Sequence, residues 1–154
     1  LHSLRRRQRQ MCIRDSYWPL KIESCHDEAV LSWIEEHLCV VPAFPRPKGY
    51  SVVEGKSIDE EKVKALASAA DRCWDAVMSR DLERFAAAFR DSFEAQIAMF
   101  PAMMNDRVKE CIDKYSPMCL AYKMAGAGGG GHLVFVVDST DNLPEEAIRI
   151  KIRR

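Results

Sequence analysis

The sequence has no apolar run approaching the ~20 residues of a membrane-spanning helix, so it contains no candidate span. It also has no C-x-x-C pair. Its six cysteines (Cys12, Cys25, Cys39, Cys73, Cys111 and Cys119) follow no regular spacing. That excludes the usual zinc-ribbon and dithiol signatures and points to reduced thiols in a cytoplasmic protein. The four histidines (His2, His26, His37 and His132) form no H-E-x-x-H and have no partner four residues away. A zinc site is therefore not expected. Glycine is scarce too, seven in 154 residues, yet five of the seven fall between positions 126 and 131. Glycine loses more backbone entropy on folding than any other residue, so such a cluster calls for a reason.

Charge of either sign is not in excess: 23 basic and 23 acidic residues cancel. The balance hides an uneven distribution. Residues 1–16, LHSLRRRQRQMCIRDS, hold five arginines and one aspartate; without them the remainder carries 18 basic and 22 acidic residues, a net of −4. A mildly acidic body has no electrostatic reason to seek nucleic acid. Three readings compete for the basic segment: an RNA-binding arm, an Arg-rich targeting peptide, or sequence foreign to the domain. A targeting peptide would carry more serine and a longer amphipathic pattern. The third reading is the expectation, with 1–16 a non-native or disordered segment and 17–154 one domain, long enough to bury a core.

Along the domain, YWPLKIE (Tyr17–Glu23) reads as a short strand. DEAVLSWIEEH then places Val30, Leu31, Trp33 and Ile34 at helical spacing, and LCVVPAF is a β-branched run that suits a sheet. PRPKGYSVVEG is a proline- and glycine-punctuated loop, in which Arg46 is a solvated residue or one that reaches a substrate. Ser57 and Glu60 form a capping-box pattern before a long helix with the apolar set Val63, Leu66, Ala67, Ala70, Cys73, Trp74, Val77 and Met78. Asp81 is placed to cap the next helix, whose stripe is Leu82, Phe85, Ala86, Phe89, Phe93, Ile97 and Phe100. Pro101 ends it. The aromatic spacing is that of a buried helix face, so core packing explains it better than a ligand pocket. A shorter helix from about Asn105 to Tyr115 buries Val108, Cys111 and Ile112. CLAYKMA and HLVFVVD are strands flanking the glycines, and EEAIRIKIRR closes with the period-two alternation of a half-buried strand. Capping accounts for Asp59, Asp81 and Asp106, so none is promoted to a catalytic base. Locally paired strands and grouped helices predict an α+β fold: a ferredoxin-like, mainly antiparallel sheet with a helical block on one face.

The glycine run lies in YKMAGAGGGGHLVFVVD. It is not a Walker loop, because no Lys-Ser or Lys-Thr follows. It is not a dinucleotide fingerprint either, because a strand rather than a helix comes next. Two readings of the residues stand. Successive positive-φ glycines can turn their N–H groups into an anion-binding nest, or the run is a loose hairpin connection.

K-M-A-G-A-G-G-G-G followed by an apolar strand resembles the third, C-terminal motif of the GHMP kinase superfamily, in its general flavour the sugar-kinase branch of galactokinase, heptose-phosphate kinase and fucokinase relatives. The helical block before it and the strand order around it fit the C-terminal domain of those enzymes, so the resemblance covers Tyr17 to Arg154. It implies transfer of the γ-phosphoryl of ATP, with Mg2+, to a hydroxyl of a sugar or sugar phosphate. It places Gly126, Ala127, Gly128, Gly129, Gly130 and Gly131 beside the phosphates, with Lys123 and His132 as substrate-contact positions. Lys123 reads equally as an ordinary solvated strand residue. Many relatives have Ser or Thr where this chain has Ala125, and an apolar or aromatic residue where it has His132. The family's main phosphate loop, P-x-x-x-G-L-x-S-S, and its catalytic aspartate have no match in the sequence. The chain is thus expected to be a C-terminal portion, inactive without an N-terminal ATP-binding domain. The alternative is a free-standing ferredoxin-like ligand-binding or regulatory module with no catalytic activity.

Overall fold

The computed structural model describes residues 22–153. The basic segment 1–16 and most of the strand expected at Tyr17–Glu23 lie outside them. The chain order is α1 (Glu28–His37), β1 (Leu38–Pro42), α2 (Glu60–Ser79), α3 (Leu82–Met99), α4 (Asp106–Tyr115), β2 (Ala121–Met124), β3 (His132–Val136) and β4 (Ile148–Arg149). The strands form one antiparallel sheet in the order β2-β3-β1-β4. This is the α+β arrangement expected from the sequence.

The helices start where short polar side chains can accept the unpaired N–H groups of a first turn. Asp27 accepts from the Ala29 and Val30 amides at 2.8 and 3.1 Å. Asp81 accepts from Arg84 at 3.0 Å. Two starts refine the sequence reading, which offered both a Ser57–Glu60 box and an Asp59 cap for α2 and gave Asp106 a capping role in α4. The cap of α2 is Asp59, which accepts from Lys62 N at 2.9 Å. Ser57 lies upstream, where its amide donates to Met99 O at 2.9 Å and its hydroxyl accepts from Lys62 Nζ. With Asp59 as cap, the third helical position is Lys62 rather than Glu60, so no capping box forms. The cap of α4 is Asn105, accepting from Val108 N at 3.0 Å, and Asp106 is the first helical residue. There its charge faces the positive end of the helix dipole.

Helices α2 and α3 form an antiparallel hairpin. Arg80 takes the left-handed conformation (φ 54°) and the Asp81 amide donates back to Ala76 O at 2.9 Å. That closes α2 in the manner of a Schellman motif.

Alternation along the strands sends side chains to two cores. On one face Val136 and Ala121 pack with Ala76, Phe85 and Ala86 of the α2–α3 hairpin, together with Trp33 of α1. On the other, Cys39, Val41, Leu133, Phe135 and Val137 pack with Val108, Ile112 and Tyr115 of α4. The long helical block covers one face as expected, while α4 covers the opposite one. Burial raises the Cys39 and Cys119 thiols to about 11, which keeps them protonated and unreactive.

Two packing expectations need correction. In α2 the buried residues are Ala69 and Ala76, whereas Val63, Ala67, Ala70 and Met78 are exposed. Helix α2 is an outer layer that packs mainly on α3 and only lightly on α1. Its apolar arc is wider than these neighbours cover. The C-terminal alternation yields only Ile148–Arg149 as strand, opposite Val40 and Cys39, with Ile148 52% exposed. Among the described residues no helix is long and apolar enough to cross a membrane.

Candidate functional site

The glycine run is the turn between β2 and β3. The ladder closes where Ala125 N donates to His132 O at 2.9 Å, leaving 126–131 as the loop. Gly126, Gly128, Gly129, Gly130 and Gly131 all have positive φ, between 65° and 142°, while Ala127 does not. Any side chain would therefore be strained by backbone conformation at every position that carries glycine. Space excludes them as well at the centre of the loop. A Cβ on Gly128 would fall 2.7 Å from Met103 Cβ, and one on Gly129 would enter the Tyr50 ring.

The loop is fastened rather than loose. Its carbonyls are gripped by three side chains from distant segments. Tyr50 OH donates to Ala127 O at 2.7 Å, Arg46 Nε to Gly128 O at 2.8 Å, and Asn105 Nδ2 to Gly129 O at 3.3 Å. Two amides are also engaged: Gly129 N donates to Met103 O at 3.0 Å and Gly131 N to Phe44 O at 2.7 Å. Ala43 N returns a bond to Gly131 O at 2.8 Å, so the β1–β3 pairing continues into the loop. These contacts answer the choice between nest and loose connection in part. The loop has one built conformation, with the amides of Gly129 and Gly131 committed to protein carbonyls.

Two guanidinium groups stand at this loop. Beyond its Nε bond, Arg46 carries Nη2 to within 3.8 Å of where a Gly126 Cβ would be and 3.6 Å of that of Gly131. Arg107, on the first turn of α4, stacks its guanidinium 4.1 Å from the centroid of Phe44. Phe44 in turn lies against Gly130, whose Cβ would meet Phe44 Cε2 at 3.2 Å. Among the described residues neither arginine makes an ion pair. Burial raises the Tyr50 phenol, an effect opposed by the nearby Arg46 charge, so Tyr50 stays a neutral donor.

The positions named from the sequence separate. Gly126–Gly131 form one fastened loop, and His132 is exposed at its β3 end, opposite Pro42. Lys123 points to the hairpin side of the sheet, where Nζ donates to the buried Ser92 hydroxyl at 2.7 Å. Burial lowers its pKa, partly offset by the Cys73 thiol. Its ammonium is committed to α3, so it fits neither substrate contact nor full solvation. Asp59 and Asp81 are helix caps. Among the described residues no group of three or more His, Cys, Asp or Glu is arranged to hold a metal. Tyr50, Asn105 and Arg107 carry no local sequence signal for their place here; each meets the loop only through the fold.

No family model matches the sequence, and no curated protein is significantly similar to it. Solved structures do share its fold. A mevalonate kinase matches with a TM-score of 0.58 at 18% identity, over 77% of this chain and 37% of that enzyme. The Methanococcus jannaschii mevalonate kinase matches with a TM-score of 0.55 at 18% identity, over the same shares. The chain thus spans little more than a third of these enzymes' length. What it has in common with them is the fold of that part of a mevalonate kinase.

Proposed function

We propose that this chain is the C-terminal portion of a GHMP-type kinase, which transfers the γ-phosphoryl of ATP to a hydroxyl of a small molecule, a sugar or sugar phosphate. The observation that carries the reading is the built glycine loop: positive φ at five positions and three side chains holding its carbonyls. Such a loop is held in one conformation before a ligand arrives, so binding at its exposed Gly126 end costs little reorganisation. The shared fold with part of mevalonate kinase supports it.

In this reading ATP supplies the phosphoryl group and Mg2+ offsets charge on it. The chain's own residues fit part of that task. The guanidinium of Arg46 beside Gly126 and Gly131 suits a phosphate oxygen. Lys123 is left out of the site, and His132 remains as the exposed side chain at the loop's edge.

The decisive experiment is to recover the reading frame upstream of the Tyr17 codon and assay the longer protein for acceptor-dependent ADP release. Sugars, sugar phosphates and mevalonate are the acceptors to try. The isolated chain is expected to bind Mg-ATP more weakly than about 10 µM, since tighter binding would require ~7 kcal/mol from half a site. One observation favours the second reading, a free-standing ligand-binding module: this chain's own side chains order the loop without another domain. A longer frame without a phosphate loop, or micromolar ligand binding by the chain alone, would select that reading.

A further inference from the structure

We propose that Arg46 and Arg107 form a phosphate-monoester site across Phe44, and that the acceptor of the reaction carries its own phosphate there. The assignment of that phosphate to an acceptor rests on the kinase reading; the site itself does not. Arg46 is fixed by its Nε bond to Gly128 O, which leaves the Nη atoms turned along the loop toward Gly126 and Gly131. Arg107 holds its guanidinium carbon over the Phe44 ring, 4.1 Å from the centroid. Stacking uses the face of a guanidinium and leaves its in-plane N–H groups available for a bidentate bond to an oxyanion.

Phe44 ties the two together. Its carbonyl holds Gly131 N, its ring edge abuts Gly130, and its face carries Arg107. Both arginines are exposed, and among the described residues neither makes an ion pair. Two guanidiniums without an ion-pair partner among the described residues, one at the loop and one over the Phe44 that braces it, match a dianionic phosphate monoester better than a monoanionic carboxylate. Placing cations this way also raises the local concentration of an anionic ligand.

The test follows the amide resonances of Gly126–Gly131 and the Nε–H resonances of both arginines in the full chain. The titrants are inorganic phosphate, glucose 6-phosphate, ATP without magnesium, and acetate at matched ionic strength. Phosphate and glucose 6-phosphate should move both arginine signals, and acetate should not. Arg107→Gln should weaken phosphate binding about tenfold, the loss of one charged hydrogen-bonding partner. Arg46→Lys keeps the charge but loses the Nε bond, and should weaken binding while the fold, read by far-UV dichroism, is retained. The site is overturned if phosphate moves neither arginine, or if Arg107→Gln binds it equally well. Response to ATP with none to glucose 6-phosphate would overturn the assignment to an acceptor. Phosphate binding here without ADP release by the longer protein would sink the kinase reading alone; ADP release without phosphate binding would sink this site alone.

Discussion

Arg46 reaches 82 residues along the chain to place its Nε–H on the Gly128 carbonyl at 2.8 Å. That bond joins the proline-rich segment after β1 to the turn between β2 and β3. It makes the two a single unit with Tyr50 and Asn105. Glycine at 128 is what allows it. A side chain there would strike Met103, and the loop could not lie close enough for its carbonyl to be reached.

Substituting within the loop should therefore separate space from conformation. Gly126→Ala meets only Arg46 Nη2 at 3.8 Å, so its cost is that of alanine at positive φ, about 1–2 kcal/mol. Gly129→Ala carries the same conformational cost and drives its methyl into the Tyr50 ring, adding about 1–3 kcal/mol. Urea unfolding of the two variants side by side checks this; equal midpoints would mean that Tyr50 yields freely.

Tyr50→Phe removes the hydroxyl that binds Ala127 O and leaves the ring in place. The expected loss is about 1 kcal/mol in the same assay. Hydrogen exchange should quicken in the loop and leave β1 and β3 protected. Uniform quickening would count against a local role.

Glu146 accepts from Tyr115 OH at 2.6 Å and from Lys114 Nζ at 3.0 Å. The Tyr115 hydroxyl first, then its own backbone amide and Lys114, hold its carboxyl at about 2, below the ordinary 4.5. A depressed folded value means stabilisation present above 4.5 and lost as pH falls from there through about 2. Tyr115→Phe should flatten stability against pH in that window, and a profile unchanged by the substitution would contradict the bond. The carboxyl is at the surface, so the effect is small and shrinks in salt.

Lys123 gives the opposite sign. Burial lowers its folded value below the unfolded 10.5, so the unfolded chain binds the proton more tightly at alkaline pH. Stability should rise as pH climbs through the lowered value toward 10.5. The difference between the natural chain and Lys123→Met, followed by urea midpoint, isolates this slope. No slope would mean that the ammonium stays solvated despite Ser92.

Helix α2 offers a contrast between its two sides. Val63→Ser lies on the exposed side (48% exposed) and should change stability by no more than about 0.5 kcal/mol. Ala76→Leu forces three extra carbons against Phe85 and Ala86 and should cost about 1–3 kcal/mol. Thermal unfolding of both variants distinguishes them. A large loss at Val63 would show that something covers that side.

Much of this layout was legible in the residues because the signals are local. Periodicity and the Asp81 cap marked three of the helix starts or runs to within a residue or two, and the glycine cluster located the turn between β2 and β3. The errors share one cause. Ser57-x-x-Glu60 and Asp59 are competing caps two residues apart, and only the docking of the Ser57 amide on Met99 O selects Asp59. Lys123, a substrate contact by resemblance or else a solvated strand residue, instead bonds to Ser92 of α3, which only the packing of that helix over the sheet decides.

The sequence by itself determined that there would be four amphipathic helices, strands on either side of a glycine turn, and backbone freedom concentrated at 126–131. Each depends on residues within a few positions of one another. Only the tertiary structure decided which side of α2 is covered, that Ile148–Arg149 alone joins the sheet, and that Arg46, Tyr50, Asn105 and Arg107 converge on the loop. Those contacts join segments tens of residues apart. Their free energy depends on how whole elements pack, and no local pattern encodes that.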